Sequence, residues 1–82
     1  VFYSKTALKE LKALPGSDAK RVFEKSEALA NNPRPAGSKK LVESKEPMWR
    51  IRVGDYRVLY IIEDTIRVVD IRKIGHRKDI YR

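Results

Sequence analysis

Apolar and polar residues alternate most regularly in residues 48–60, which read MWRIRVGDYRVLY. Side chains along a β-strand point alternately to the two faces of a sheet, so this pattern predicts two strands. Gly54 and Asp55 supply a two-residue turn between them, because glycine tolerates positive φ at no steric cost. The chain is therefore predicted to form an antiparallel hairpin here, with Arg52 directly opposite Arg57.

The two faces of this predicted hairpin differ in chemistry. One face carries apolar and aromatic side chains, namely Trp49, Ile51, Val53, Tyr56, Val58 and Tyr60. The other face carries Arg50, Arg52 and Arg57, followed by Leu59 and Ile61. Opposed arginines repel each other by a few tenths to about 1 kcal/mol, which a purely structural design avoids. The arginines therefore indicate either an anion site, open as a shallow groove, or a solvated face on which they fan apart.

Two helices are predicted before the hairpin. Residues 1–3 are apolar and aromatic and predict an opening strand, and Ser4 is a candidate N-cap for the first helix. The apolar positions of that helix are Ala7, Leu8, Leu11 and Leu14. Their spacing is helical, and Pro15 with Gly16 is expected to end the helix.

The second helix is predicted to start with Ser17 or Asp18 as its N-cap and to end before Pro33, because a residue preceding proline avoids the α region. Its apolar stripe is Ala19, Val22, Phe23, Ser26, Leu29 and Ala30. Two antiparallel helices joined by a short turn need a sheet to cover, so we expect the leucines and Phe23 in the core.

The segment between Pro33 and Pro47 is rich in proline, lysine and glutamate and shows little periodicity, which predicts a loop. Lys39 and Lys40 are candidates for phosphate binding. A solvated charged loop is the alternative interpretation of the same residues.

A further strand is predicted at residues 66–71, after a turn at residues 63–65, and Gly75 is expected to break it. Strand parity places Ile66, Val68, Asp70 and Arg72 on the face of the three arginines. Asp70 is accordingly a candidate partner for Arg57. Together the elements predict one α+β domain over residues 1–82, with an N-terminal strand, a two-helix hairpin and a three-strand antiparallel meander that forms a small sheet.

Charge narrows the possible partners. The 82 residues carry a net charge of +8, with a pI near 10.0. Such a chain attracts nucleic acid, an anionic membrane or an acidic protein, and the charge alone does not choose among them. The sequence has no cysteine and one histidine, so neither a thiolate nor a histidine-rich metal site is expected. It also lacks an apolar run of about 20 residues and a signal-peptide core, so we expect a cytoplasmic protein without a membrane partner.

The four arginines at positions 50, 52, 57 and 77, with His76 and Tyr81 nearby in sequence, suit a phosphodiester. Cleavage of RNA through its own 2′-hydroxyl needs a proton acceptor, cations for the charge that grows on the phosphate, and a proton source for the leaving oxygen. Arginines serve the second role, and His76 or Tyr81 could serve the others. An unperturbed tyrosine titrates near about 10, so that role requires a strongly shifted environment. Surface positions without catalysis remain the alternative for both residues.

The fragments FYSKTALKELKALP, WRIRVGDYRVLYII and VVDIRKIGHRKDIYR make nearly the whole chain resemble the RelE/ParE superfamily of bacterial and archaeal toxins. The resemblance to the RelE branch implies a ribosome-dependent endoribonuclease that cleaves mRNA in the decoding site by 2′-hydroxyl attack, without metal or cofactor. The ParE branch of the superfamily shares the fold but inhibits DNA gyrase and is not a ribonuclease. A non-catalytic module that binds nucleic acid or antitoxin is a third possibility.

The resemblance also implies residue roles. Arg57 matches a phosphate and transition-state contact, Arg77 a leaving-group or charge-stabilising residue, and Tyr81 a general base that also stacks on a base. The implied catalytic set is Arg57, Arg77, Tyr81 and His76. The predicted RNA-binding set is Arg50, Arg52, Lys39 and Lys40. Two departures are the arginines at 50 and 52, where the RelE branch has lysines that can transfer protons, and a shorter segment between Arg77 and Tyr81.

The resemblance further implies three partners. The first is an acidic cognate antitoxin of the RelB type, which a domain of charge +8 suits electrostatically. The second is the ribosome with mRNA in its decoding site. The third is operator DNA, bound only through the complex with the antitoxin.

Overall fold

The computed structural model describes residues 1–42 and 45–76. Its elements in chain order are β1 (Phe2–Tyr3), α1 (Lys5–Ala13), α2 (Gly16–Ala28), β2 (Lys39–Lys40), β3 (Met48–Val53), β4 (Tyr56–Glu63) and β5 (Val68–His76). The strands form one sheet in the order β1-β5-β4-β3-β2. The predicted α+β fold is therefore confirmed.

The sheet is mixed, although its centre is the predicted antiparallel meander. Strands β3, β4 and β5 pair antiparallel, whereas β1 runs parallel to β5. Strand β2 lies in the segment predicted as a loop and pairs antiparallel with β3, with Lys39 opposite Arg50. A strand of two residues is too short to produce a visible alternation, which is why the sequence pattern missed it.

Strand β5 departs from prediction at both ends. It starts two residues later than expected, because residues 64–67 form the turn and Arg67 adopts a φ of 52°. It also continues through Gly75, which was expected to end it, and Gly75 pairs with Arg57 of β4. Glycine weakens an isolated strand, but here the β4 backbone pairs with Gly75 and with its neighbours Ile74 and His76.

A register shift interrupts the pairing of β4 with β5 between Leu59 and Tyr60. Tyr60 lies opposite Ile71, whereas Leu59 lies opposite Lys73. Arg72 is therefore an extra residue on β5, as in a β-bulge. Each residue of β5 after Arg72 therefore lies on the opposite face of the sheet from the one that simple alternation predicts.

The helix starts were predicted with mixed success. Ser4 caps α1 as expected, since its Oγ accepts a hydrogen bond of 3.0 Å from the Ala7 amide. Helix α2 starts at Gly16 after Pro15 and has no side-chain cap, so the prediction of Ser17 or Asp18 as N-cap was wrong. The proline sets the backbone direction at that start through its fixed φ. Neither helix, nor any other in the described ranges, is long and apolar enough to cross a membrane.

The core lies between the two helices and one face of the sheet. Its buried members are Ala7, Leu11, Val22, Leu29, Ile51, Val53, Val58, Tyr60, Val69, Ile71 and Ile74. The apolar face of the hairpin thus packs as predicted. Phe23 and Leu8 are 45% and 41% exposed, so the prediction that they are core residues was wrong. Phe23 lies at the rim instead and stacks on Tyr3 at a centroid distance of 6.1 Å.

A polar clamp holds the segment before β2 against the sheet. The Arg34 guanidinium donates two hydrogen bonds to the Asp64 carboxylate, at 3.1 and 2.9 Å, and lies 5.1 Å from the centroid of the Trp49 ring. The Tyr60 hydroxyl donates to the Pro33 carbonyl at 2.7 Å. These contacts fix the path of the chain into β2 and so the position of its lysines.

The Arg34–Asp64 pair is expected to make thermal stability pH-dependent. The hydrogen bonds from Arg34 hold the pKa of Asp64 below its usual range. A lowered carboxyl pKa stabilises the fold above the ordinary value of about 3.9, and this contribution is lost as the pH falls through the lowered pKa. The difference in Tm between the wild type and Asp64→Asn should therefore be constant near neutrality and shrink on acidification below about pH 4.

Because the pair is solvent-exposed, that difference should be small and should decrease further at high salt. Glu63→Gln removes a neighbouring carboxylate that forms no ion pair within residues 1–42 and 45–76 and serves as the control. Equal pH dependence of the wild type, Asp64→Asn and Glu63→Gln would contradict the expectation.

Candidate functional site

The sheet face turned away from the helices carries Arg50, Arg52 and Arg57, and we call it the arginine face. The predicted register is confirmed, since Arg52 lies directly opposite Arg57 and Arg50 lies opposite Leu59. Facing Cβ atoms in such pairs are about 4.5–5.5 Å apart. Two positive side chains are therefore held next to each other by the tightest connection in the sheet, the turn in which Gly54 adopts a φ of 61°.

Burial on the arginine face is graded. Arg50 is only 7% exposed, Arg57 is half-buried and Arg52 is exposed. Leu59 and Ile61 are also buried, at 7% and 5%. The prediction of an open groove therefore fits Arg52 and is wrong for Arg50 and the apolar residues beside it.

Arg50 is the most unusual residue of the face. Its Nε is buried and has no hydrogen-bond partner, and no ion pair of Arg50 is found in the described part of the chain. A buried donor without an acceptor costs free energy, and more so when it is charged. An anion bound to this guanidinium would offset that cost, so the burial of Arg50 favours a binding site over a solvated face.

Asp70 does not neutralise Arg57, contrary to prediction. Asp70 accepts a hydrogen bond of 2.9 Å from Arg72 Nε, and Arg72 also lies 3.9 Å from Glu46. The register explains this choice, because Asp70 lies opposite Ile61, four residues along β4 from Arg57. Asp70 and Glu46 therefore compensate the charge of Arg72 at the far end of the face.

The lysines divide between the two faces. Lys39 lies opposite Arg50 and extends the arginine face across β2, whereas Lys40 lies opposite Trp49 and therefore on the other side of the sheet. Lys73 was not predicted as a site residue, but its position opposite Leu59 places it on the arginine face. The register shift causes this, and no feature of the sequence indicates it.

His76 is separated from the arginines. It lies opposite Tyr56, on the face that the helices cover, and the two rings meet edge to face at 6.0 Å. A cavity of about 330 Å³ beside them is lined by Asp18 and Arg21 of α2. Arg77 and Tyr81, the other two predicted catalytic residues besides Arg57, lie outside the described residues.

Comparison with known proteins identifies the family. The family model described as the ParE toxin of the type II toxin–antitoxin system parDE matches residues 1–81. The chain belongs to the RelE/ParE toxin family. Toxin RelE3 of Methanocaldococcus jannaschii is 35% identical to this RelE-like toxin over 85 residues, which cover 99% of the chain and 93% of the relative.

Solved structures place the chain on the RelE-like side of the family. The archaeal RelE–RelB complex of Pyrococcus horikoshii matches it with a TM-score of 0.79 at 30% identity, over 94% of this chain and 92% of the other. The RelBE2 toxin–antitoxin complex of Mycobacterium tuberculosis matches with a TM-score of 0.80 at 30% identity, over 92% and 93%. The resemblance seen in the sequence is thereby confirmed.

Three tyrosines of this RelE-like toxin are poorly suited to accept a proton. Burial and a hydrogen bond to Glu27 raise the pKa of Tyr3, burial and Asp18 raise that of Tyr56, and burial raises that of Tyr60. A general base at neutral pH needs the opposite shift. None of these three tyrosines is therefore suited to act as a general base at neutral pH.

The arginine face of the toxin is suited to binding and stabilising anionic oxygens. Guanidinium groups offer a rigid fork of donors that matches phosphate, and they retain their charge at any physiological pH. They do not exchange protons, so the proton transfers of a cleavage reaction need other groups. No cluster of His, Cys, Asp and Glu within residues 1–42 and 45–76 could hold a metal ion.

Proposed function

We propose that this chain is a toxin that cleaves mRNA in the decoding site of the ribosome, by metal-free attack of the RNA 2′-hydroxyl. One observation carries the proposal: the opposed pair Arg52 and Arg57 lies beside the buried Arg50, on the sheet face opposite α1 and α2. Relatives named RelE toxins support the choice of reaction.

The proposed reaction needs charge stabilisation above all. The 2′-oxygen attacks phosphorus, the bond from phosphorus to the 5′-oxygen breaks, and negative charge grows on the non-bridging phosphate oxygens. Arg57, with Arg52 across the strand pair, is proposed to bind those oxygens, and a phosphate between the two guanidinium groups would screen their mutual repulsion. Removing one such donor from an enzyme typically costs about 10²–10³-fold in rate.

The proton transfers are assigned by family resemblance alone. Tyr81 is proposed to accept the proton of the 2′-hydroxyl and Arg77 to stabilise the charge on the leaving 5′-oxygen, which takes up a proton from water to become the 5′-hydroxyl. His76 lies on the opposite side of the sheet and is not assigned a step. Lys39 joins Arg50 as a phosphate contact, whereas Lys40 on the other face is proposed to act only through its charge.

The proposed partners follow from charge and from the relatives. A net charge of +8 favours an acidic antitoxin of the RelB type, and the matched structures from Pyrococcus horikoshii and Mycobacterium tuberculosis are toxin–antitoxin complexes. We propose that the toxin acts on cytoplasmic ribosomes and reaches operator DNA only within the antitoxin complex.

Purified ribosomes programmed with an end-labelled message test the proposal. We expect cleavage of the message when the decoding site is vacant and the toxin is added, and none when the same RNA is offered without ribosomes. An intact message under conditions in which the toxin still arrests growth would contradict the proposal.

A gyrase inhibitor is the second candidate, because the ParE toxin model matches residues 1–81. It predicts that purified gyrase on supercoiled DNA accumulates cleaved complexes when the protein is added. Unchanged supercoiling activity removes this candidate. Binding of RNA with a steep salt dependence, but without cleavage or gyrase inhibition, would instead identify a non-catalytic binding module.

A further inference from the structure

The β-bulge gives the arginine face a cation that simple strand parity assigns to the other side. With regular pairing, Arg72 would lie on the arginine face and Lys73 on the helix-covered face. The register shift between Leu59 and Tyr60 makes Arg72 the extra residue and places Lys73 opposite Leu59. Bulges re-aim side chains in this way and occur frequently beside functional sites.

Arg72 and Lys73 differ in what their charges meet. Arg72 is engaged by Asp70 at 2.9 Å and by Glu46 at 3.9 Å. Lys73 is half-buried, yet it forms no ion pair or hydrogen bond of its side chain in the described part of the chain. The bulge therefore places Lys73 on the arginine face in the position that Arg72 would otherwise take. The charge of Arg72 is compensated by two carboxylates, whereas that of Lys73 is not compensated within the described residues.

Lys73 completes a row of cations across the sheet. The row crosses four strands at one level. Its cations are Lys39 on β2, Arg50 on β3 and Lys73 on β5, and the uncharged Leu59 on β4 lies between Arg50 and Lys73. Neighbouring strands are about 4.8 Å apart, so Arg50 and Lys73 flank the short Leu59 side chain at a backbone separation of about 10 Å. Both side chains are long enough to meet above the leucine on a single anion.

The row includes a buried cation, Arg50, and not only lysines at the surface. Arg50 is 7% exposed, and its Nε has no hydrogen-bond partner. The row lies two residues along the strands from the pair Arg52 and Arg57, which corresponds to a displacement of about 7 Å. The two groups of cations are thus separate positions on one continuous face.

We propose that Arg50 and Lys73 form a second phosphate subsite, which binds a phosphate of the RNA strand adjacent to the one held by Arg52 and Arg57. The inference rests on the proposed ribonuclease function. Lys73 is in this account a binding residue that fixes the register of the RNA strand on the arginine face, and it takes no part in proton transfer.

Binding of a non-cleavable RNA analogue tests the subsite without requiring catalysis. The probe is a fluorescein-labelled single-stranded 2′-O-methyl oligonucleotide, and its Kd is measured by anisotropy over a series of salt concentrations. Lys73→Ala is expected to raise the Kd about tenfold. It should also reduce the steepness of log Kd against log salt by about 0.7, the value for one phosphate contact on a single strand. Lys73→Arg should restore most of the binding.

Lys9→Ala is the matched control. Lys9 is an exposed lysine on α1, which packs on the opposite side of the sheet, so this variant loses the same charge away from the arginine face. Its salt slope should equal that of the wild type, and melting curves should show both variants folded. Equal slopes and equal Kd values for Lys73→Ala and Lys9→Ala would overturn the subsite.

Kinetics on programmed ribosomes separate this inference from the proposed function. Lys73→Ala is expected to raise KM about tenfold with kcat within about twofold of the wild type, because the contact exists before and during the chemical step. A loss confined to kcat would overturn the binding role. If the wild type fails to cleave at all but the oligonucleotide slope still drops in Lys73→Ala, the subsite stands and the ribonuclease proposal fails.

Discussion

Arg57→Ala is expected to lower the single-turnover rate of mRNA cleavage on ribosomes by about 10²–10³-fold, which corresponds to about 2.7–4 kcal/mol of transition-state stabilisation. The reason is that Arg57 is proposed to bind the phosphate oxygens on which charge accumulates. Arg57→Lys should recover only part of the rate, because an ammonium group cannot reproduce the planar fork of a guanidinium.

The fold should tolerate the change. Arg57 is half-buried and lies opposite Arg52, so the relief of like-charge repulsion offsets the packing lost with the side-chain stem. We expect the free energy of unfolding to change by less than about 1 kcal/mol in either direction. Lys9→Ala, which removes a positive charge from α1, should retain the full rate. Cleavage at wild-type rate by Arg57→Ala would contradict the role of the arginine face.

Ile71→Ala is expected to lower the free energy of unfolding by about 2–5 kcal/mol, a large part of the stability of so small a domain. Ile71 is fully buried and lies opposite both Tyr3 of β1 and Tyr60 of β4. Its truncation removes apolar contacts and leaves a cavity between the sheet and the helices.

Ile66→Ala provides the same substitution at an exposed position. Ile66 is 69% exposed in the turn before β5, so its truncation should change the free energy of unfolding by less than about 0.5 kcal/mol. Urea denaturation of both variants and the wild type compares the two sites directly. Equal destabilisation by the two substitutions would contradict the placement of the core.

The hairpin could be predicted completely from the sequence, and β5 could not. The pairing of Arg52 with Arg57 follows from local alternation and a two-residue turn, both visible within a few residues. The bulge beside Leu59 depends on how β5 packs against β4 and against α1, where the Ile74 amide donates to the Glu10 carboxylate at 3.0 Å. Such contacts join distant residues and leave no local pattern.

The same distinction applies to the site. Arg50, Arg52 and Arg57 were predicted correctly to share one face, because their positions depend only on the hairpin. Lys73 was missed and His76 was grouped with the arginines, because both lie on β5 beyond the bulge. The burial of Arg50 was also unforeseen, since alternation predicts the face of a side chain but not what covers it.

Short elements were likewise hard to foresee. The two-residue β2 lies in a proline-rich and lysine-rich segment whose composition resembles a loop, and pairing with β3 decides its conformation. Phe23 has the spacing of a core residue in α2, but it is 45% exposed and stacks on Tyr3 at the rim. Tertiary packing decided both cases, against the local signal.

Primer extension on a translated message, combined with analysis of the new ends, tests the central claim most directly. We predict new 5′ ends within codons that occupy the decoding site, with a free 5′-hydroxyl on one fragment and a 2′,3′-cyclic phosphate on the other. With Arg57→Ala these ends should be nearly absent. Full-length message in the presence of active toxin, or fragments with 5′-phosphate ends, would contradict the central claim.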